Sequence, residues 1–236
     1  EMSPPRFGKV FISVKPRNGD FLSDETKREL IQRLKSYAVA GIVPEFIDLK
    51  YLYVELKVNP YYNPSLNDDQ ENLKTGVSNA LTQYSRSIDV NKFGGRFKYS
   101  KAVSLIDNVD SSITSNITLV TIRRNLKAVL GQFAQYELCY GNMFHTQESS
   151  YNIVSTGFTI EGVTETVYLA DEVINRDKGR IFFFTYTEGG TPNIIKKNAG
   201  TVDYIHGEIL IDTVNILSTV IANNVVEIQA IPHSND

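Results

Sequence analysis

The sequence predicts an α+β fold, in which a small helix-covered sheet is followed by an all-β domain resembling a sandwich or a barrel. Three observations lead to this class. Apolar residues recur at helical spacing only within the first 130 residues, short alternating strands follow Gly131, and turn-forming residues separate those strands. We therefore expect an α+β domain at residues 1–130 and a β-rich domain at residues 131–236.

The first elements along the chain are a strand, a helix and a second strand. Alternating apolar residues predict a strand from Phe7 to Lys15. Ser23 suits a helix N-cap, so we expect a helix that starts there and stops before Gly41. A second strand is predicted from Ile47 to Val58, with a one-residue shift in its alternation that indicates a bulge, and a turn-rich loop from Asn59 to Pro64 follows it.

Two helices and a long strand complete the first part. Apolar residues spaced three and four apart predict a helix from Asp68 to Ser87. A short helix capped by Ser100 and a strand from Ile113 to Leu126 come next. The predicted order is therefore strand, helix, strand, helix, helix, strand, which suits a small sheet with helices on one face.

The second part is predicted to contain only strands. Alternating or β-branched runs bounded by glycine, asparagine or proline turns define eight of them, and His206-Gly207 marks a tight hairpin. The predicted strands are Tyr136–Tyr140, Val154–Ile160, Thr166–Leu169, Arg180–Thr187, Asn193–Lys196, Gly200–Ile205, Glu208–Asp212 and Val225–Ile231. Eight short strands indicate a sandwich or a barrel.

Composition and charge are ordinary for a globular protein. The 236 residues carry 24 basic and 27 acidic side chains, and this near-balance suggests neither a nucleic-acid nor a membrane partner. Cys139 is the single cysteine and cannot form an internal disulfide, which weakly favours a reducing compartment. A start at Glu1 instead of Met predicts that the chain is a piece of a longer polypeptide.

No reactive constellation stands out. His145, His206 and His233 are far apart in the sequence and lack metal-ligand spacing, so we expect no metal and no cofactor. Gly94-Gly95-Arg96 lacks the rest of a phosphate-binding motif, and Ser100, Ser104 and Ser115 lack a nucleophile elbow. The carboxylates that could meet as a glycosidase-like pair are Asp171, Glu172, Asp203 and Glu208, although turn or rim positions are the more ordinary interpretation.

Aromatic and basic residues are the better candidates for an interface. Tyr61, Tyr62 and Phe93 fall in predicted loops, where large side chains favour contact with a partner. Arg123 and Arg124 lie on a strand among apolar neighbours, which suits an inter-subunit salt bridge or a solvated strand end better than a phosphate site. For Phe182–Phe184 we favour burial within the chain over a covering partner.

The first half resembles the baseplate J-like family of contractile-tail proteins. The resemblance rests on Pro5–Pro16, Leu22-Ser23, Lys50–Val58 and Phe97–Ala102. With Gly200–Ile211 included, the whole chain resembles the C-terminal portion of the large baseplate wedge proteins of T-even-type phages. The resemblance implies a non-enzymatic building block of a virion tail baseplate, made late and assembled in the host cytoplasm, with no catalytic residue marked by any of these motifs.

The resemblance also implies partners. Copies would pair as homodimers, contact other wedge proteins, and join the wedges into a ring around the hub that changes shape when the sheath contracts. The alternative is a carbohydrate-binding or carbohydrate-cleaving tail module, because β-sandwiches on virions meet cell-surface glycans. The absence of tryptophan counts against this alternative, since tryptophan is the common stacking partner of sugar rings.

Overall fold

A computed structural model of the chain describes residues 8–16, 22–38, 41–47, 49–147 and 149–235. It contains helices and a large, mainly antiparallel sheet, so the predicted α+β class is confirmed. Contacts divide the chain into two units, one of residues 1–50 with 91–95, the other of residues 51–90 with 96–236. The predicted division after residue 130 stays a prediction, and the contact division falls elsewhere.

The first unit contains a strand–helix–strand motif. Strands β1 (Lys9–Ile12) and β2 (Val43–Phe46) pair in parallel and are joined through helix α1 (Asp24–Lys35). Ser23 caps α1 as predicted, because its side chain accepts a hydrogen bond from the backbone N–H of Thr26. Phe7, where the first strand was predicted to begin, lies outside the described residues.

The second unit begins with strand β3 (Tyr53–Tyr62), helices α2 (Gln70–Arg86) and α3 (Tyr99–Asp107), and strand β4 (Ile113–Lys127). The prediction of a loop at residues 59–62 was wrong, because β3 continues through them in register with β4. Pro60 can stand inside this strand since β3 is the last strand at one end of the sheet order, where a missing N–H leaves no ladder position empty. The register shift between β3 and β4 falls at Tyr61 and Tyr62.

The helices of this unit pack over one end of β3 and β4. Leu73 and Val77 of α2 meet Ile106 of α3 and Ile113 of β4 in a small core. Asp69 caps α2 by accepting from the backbone N–H of Asn72. The predicted cap Ser100 lies inside α3 instead, and α3 starts without a side-chain cap.

The remaining strands are mostly those predicted, with changed ends. Gly157 lies in the break of the predicted strand Val154–Ile160, and the two predicted strands within residues 193–205 are one continuous strand. The observed strands are β5 (Phe133–Cys139), β6 (Ile153–Ser155), β7 (Phe158–Ile160), β8 (Tyr168–Val173), β9 (Lys178–Tyr186), β10 (Pro192–Asp203), β11 (Glu208–Thr219) and β12 (Val225–Ala230).

All strands from β3 onward belong to one ten-stranded sheet. Its order is β3-β4-β12-β6-β8-β9-β10-β11-β5, with β7 paired to β11, and it does not close on itself. Strand β4 lies before residue 130 and β12 after it, and the two strands pair with each other. Leu126, for example, pairs with Val226. Strands from before and after residue 130 therefore belong to the same sheet.

One face of the sheet encloses the main core. Side chains from both ends of the strand order meet there, including Ile122, Ile181, Ile209 and Ile228, of which the last three are fully buried. A void of about 10 Å³ remains among Leu126 and its apolar neighbours, which is room for about one water molecule. The face that lies away from this core is called the outer face below.

Candidate interaction face

The outer face is continuous across six neighbouring strands. Registers between β3, β4, β12, β6, β8 and β9 place one residue of each strand in a single cross-strand row. In order across the sheet, the row is Tyr53, Arg123, Gln229, Val154, Ala170 and Phe182. Cross-strand partners share a face of the sheet. The polar side chains of Arg123 and Gln229 therefore lie on the same face as the aromatic ring of Phe182.

The polar end of the row is a network around one arginine, here called the Arg123 network. Arg123 donates from Nε to Glu55 at 2.6 Å and from Nη1 to Glu227, and its guanidinium lies 4.5 Å from the Tyr53 ring centre. Gln229 donates to the second oxygen of Glu55 at 2.6 Å. The Arg123 side chain is 15% exposed, so these partners surround most of it.

This network gives Arg123 a role within the chain. Two carboxylates and one ring already engage its planar fork, and charge-assisted bonds of this kind are among the stronger ones in proteins. It joins the edge strand β3 to β4 and β12. A partner that used Arg123 would have to compete with Glu55 and Glu227.

The aromatic end is a cluster of five rings, here called the aromatic cluster: Tyr151, Tyr168, Phe182, Phe184 and Tyr186. Phe184 lies 5.7 Å from Phe182, 5.8 Å from Tyr168 and 5.3 Å from Tyr186, measured between ring centres. Tyr151 closes over the top at 5.5 Å from Phe182. These separations are typical of favourable aromatic pairs.

Burial differs sharply within the aromatic cluster. Phe182 and Phe184 are each 3% exposed, and Phe183 packs in the main core on the opposite face, so the expected burial of this run within the chain is confirmed. Tyr151 and Tyr186 are 46% and 53% exposed. The cluster therefore has a buried phenylalanine base and a tyrosine surface open to solvent.

The predicted tyrosine pair is split. Tyr61 is 53% exposed at the far end of the outer face, near exposed Ile117 and Leu119 of β4. Tyr62 packs against the small helical core instead. Phe93, in the other unit, is 62% exposed in a loop.

The predicted pair Arg123 and Arg124 is also split, because adjacent residues of a strand face opposite sides of the sheet. Arg124 pairs with the fully buried Ile228, on the opposite face from Arg123. Burial lowers the pKa of Arg124, and burial also raises the pKa of nearby Tyr140. The two guanidinium groups therefore do not form a joint phosphate site.

Asp171 of the suggested carboxylate set is a buried acceptor. It is 1% exposed and accepts from the backbone N–H groups of Asn152 and Ile153, at 2.7 and 2.8 Å. Tyr204 O–H donates to its other oxygen at 2.7 Å, and burial and this carboxylate raise the pKa of Tyr204. Glu172, on the other face of β8, pairs with Arg180 at 2.7 Å.

Asp203 and Glu208 are brought together as cross-strand partners in the β10–β11 hairpin. Asp203 accepts from the backbone N–H of His206 at 2.9 Å and contacts its ring Nδ1 at 3.0 Å. These bonds lower the pKa of Asp203 and raise the pKa of His206. Asp203 thus closes a turn, which is the ordinary interpretation given above.

The other polar candidates occupy separate places. His145 and His233 lie near the end of β12, Ser100 and Ser104 lie in α3, and Gly95 donates to Lys92 in a turn. Within the described part of the chain, no group of three or more His, Cys, Asp or Glu side chains could hold a metal ion. None of the described helices is long and apolar enough to cross a membrane.

Two features were missed at the level of sequence. The spacing of Phe182, Phe184 and Tyr186 shows one strand face, but the contacts with Tyr151 and Tyr168 depend on strand pairing. No local sequence pattern distinguishes Asp171 from Glu172. The two carboxylates differ in burial because adjacent residues of a strand face opposite sides of the sheet.

Comparisons with known proteins point to phage baseplates. Residues 1–47 match the family described as "Baseplate structural protein gp6, C-terminal domain I", and residues 50–125 match "Baseplate structural protein gp6, C-terminal domain III". The gap between these matches lies beside the division of contacts after residue 50.

The chain is also 25% identical, over 176 residues, to the "Baseplate wedge protein gp6" of Enterobacteria phage T4. The aligned residues are 73% of this chain and 24% of the relative, so the chain spans about a quarter of that protein's length. The chain is therefore similar to the C-terminal domains of a baseplate structural protein.

Proposed function

We propose that this chain is a non-enzymatic structural part of a phage tail baseplate wedge. The observation that carries the proposal is its similarity, over 73% of its length, to a baseplate wedge protein. A virion location, in the tail baseplate, follows from the same similarity. The proposal includes the likeness of the first half to the baseplate J-like family.

The finer part of the proposal concerns assembly. Copies self-associate, contact neighbouring wedge proteins and join the wedges into a ring around the hub, which rearranges when the sheath contracts. A formal charge of −3 on 236 residues supports this, because identical copies repel each other little. The outer face supports it too, since it offers two apolar regions separated by the Arg123 network.

Five residues remain the proposed contact set: Tyr61, Tyr62, Phe93, Arg123 and Arg124. Tyr61 and Phe93 contribute most, because more than half of each side chain is exposed. The other three are engaged mainly within the chain, and they would act by holding β3 and β4 in place.

The experiment that tests self-association is the solution mass of this chain over a hundredfold concentration range, by sedimentation. We expect a mass that rises from one copy to two with concentration. A single-copy mass at every concentration would contradict the homodimer. Binding to neighbouring wedge proteins would then be tested separately, with Tyr61→Ala as the variant and Leu66→Ala, which is 67% exposed beyond the end of β3, as the matched control.

A further inference from the structure

We propose that the strand–helix–strand motif of β1, α1 and β2 is a conditionally folded module. In the free chain this module opens separately from the large sheet, and it becomes stably folded when the chain enters a larger assembly. The assembly step rests on the proposed function, whereas the opening in the free chain stands without it.

The module has almost no core. Among residues 8–16, 22–38 and 41–47, which are those of the module that the structure describes, Pro44 is the only buried one. No residue of α1 is buried, and the apolar stripe of this helix is only half-buried at Leu30, Ile31 and Leu34. Val43 of β2 is 48% exposed in the whole chain. No other described segment therefore supplies the missing cover.

The elements of the module are too short to hold themselves. Helix α1 has 12 residues, and isolated helices of this length are marginal in water. Strands β1 and β2 have 4 residues each and pair in parallel, an arrangement that is normally found with both faces covered. The ion pair between Lys9 and Glu45 is well exposed, so it contributes little. A stretch of about 40 residues without a core needs outside support to stay folded.

The large sheet has the opposite character. Its core contains fully buried side chains from strands across the sheet, among them Ile181, Ile209 and Ile228. Opening this sheet exposes the whole core at once, whereas opening the module exposes little that is not already in water. Segments with few buried apolar contacts open at the low end of the range of local stability. The module is therefore the part of the chain that opens first.

Hydrogen exchange followed by mass spectrometry tests the opening, at a concentration where the chain is a single copy. We expect the amides of β1, α1 and β2 to exchange within about tenfold of the rate of an unstructured peptide. The amides of β9 should exchange at least about a thousandfold more slowly than such a peptide. Protection of the module above about tenfold overturns the inference.

A pair of helix caps gives a second test. Ser23 caps α1 and Asp69 caps α2, each by accepting a backbone N–H. Replacing such a cap by alanine lowers the folding equilibrium constant of its helix by about fivefold. We expect Asp69→Ala to lower the urea midpoint of cooperative unfolding and Ser23→Ala to leave it unchanged, because α1 is already open there. A midpoint lowered equally by both variants shows that α1 unfolds with the large sheet, which overturns the inference.

The assembly step is tested by repeating the exchange measurement on purified tail baseplates that contain the protein. We expect the module to exchange at least about a hundredfold more slowly there than in the free chain, because binding energy holds it folded. Unchanged exchange in baseplates overturns the assembly step and leaves the proposed function intact. Absence of the protein from purified baseplates overturns the proposed function and the assembly step together, while the result for the free chain stands.

Discussion

At the scale of single residues, Asp171 is a buried carboxylate that accepts hydrogen bonds from several buried donors. It accepts from two backbone N–H groups, from Asn152 Nδ2 at 3.2 Å and from Tyr204 O–H. Asp171 therefore joins three segments that are distant in sequence: the approach to β6, strand β8 and the β10–β11 hairpin. Its role is structural, although its neighbour Glu172 has the same chemistry.

We expect Asp171→Ala to lower the free energy of unfolding by about 3 kcal/mol or more, because several buried donors lose their acceptor. Glu172→Ala is the matched control, since its carboxylate is 44% exposed and ion-paired, and it should cost about 1 kcal/mol or less. Urea unfolding measures both. Equal losses for the two variants would mean that the buried acceptor is not a major support.

A second residue-scale prediction concerns pH and the β10–β11 turn. The hydrogen bond to Asp203 raises the pKa of His206 above its ordinary 6.5, so the stabilisation from charged His206 is complete below that value and disappears as pH rises through the folded-state pKa. The Asp203 pKa is lowered below 3.8, so its contribution exists above that value and disappears as pH falls through the folded-state pKa. The turn is most stable between these two limits.

Proton NMR titration of the His206 ring tests this. We expect the midpoint to lie above 6.5 in the wild type and to move down toward it in Asp203→Asn. Glu208→Gln is the control for a general charge effect, since Glu208 contributes less to the His206 shift than Asp203 does. An unchanged midpoint in Asp203→Asn would show that the pair does not form in solution.

At the scale of elements, the β10–β11 hairpin is held by its own turn glycine. Gly207 has φ +66°, and a Cβ there would collide with the backbone carbonyl of Asn142. Its own carbonyl accepts from the backbone N–H of Tyr140 at 2.8 Å. This turn therefore needs glycine twice, for the left-handed backbone and for the close approach.

We expect Gly207→Ala to cost about 3 kcal/mol or more, because the alanine methyl group displaces the Asn142 backbone. Gly190→Ala is the control: it has φ +76° but open space around the added atom, so it should cost about 1 kcal/mol. Thermal or urea unfolding compares the two. Similar losses would mean that backbone conformation alone, and not the contact, sets the requirement.

At the scale of the whole molecule, one ten-stranded sheet includes strands from both sides of Gly131, where the sequence pattern changes. Strands β3 and β4 supply Val54, Ile122 and Leu126 to the main core, and residues 122–127 of β4 pair with the whole of β12. A fragment that begins after residue 130 lacks these contributions.

We therefore expect residues 51–236 to unfold cooperatively on their own, because they contain the whole large sheet and its core. Residues 131–236 alone should lack a cooperative transition, because the β12 edge and the core face left by β4 are exposed. Circular dichroism during heating distinguishes the two fragments. Cooperative unfolding of residues 131–236 would instead support the predicted boundary.

The sequence by itself determined most of the strands and helices, because these depend on local spacing and caps, although β2 was not predicted. Helix α2, strand β4, strand β12 and the Ser23 cap were all predicted close to their observed positions. Local chemistry also misled at Ser100, which lies inside α3, and at Asn59–Pro64, where two prolines and two asparagines suggested a loop. Pro60 is tolerated in β3 only because that strand lies at the end of the sheet order.

Apart from the β10–β11 hairpin, only the tertiary structure decided which strands are neighbours, and with this the candidate site. Arg123 and Arg124 looked like one basic cluster, but the pleat sends them to opposite faces. The Arg123 network combines residues from strands far apart in sequence, with separations of up to 174 residues, whereas the aromatic cluster joins the consecutive strands β8 and β9 with Tyr151. Pairing over such distances is set by how the whole chain buries its apolar faces together, which no local pattern contains.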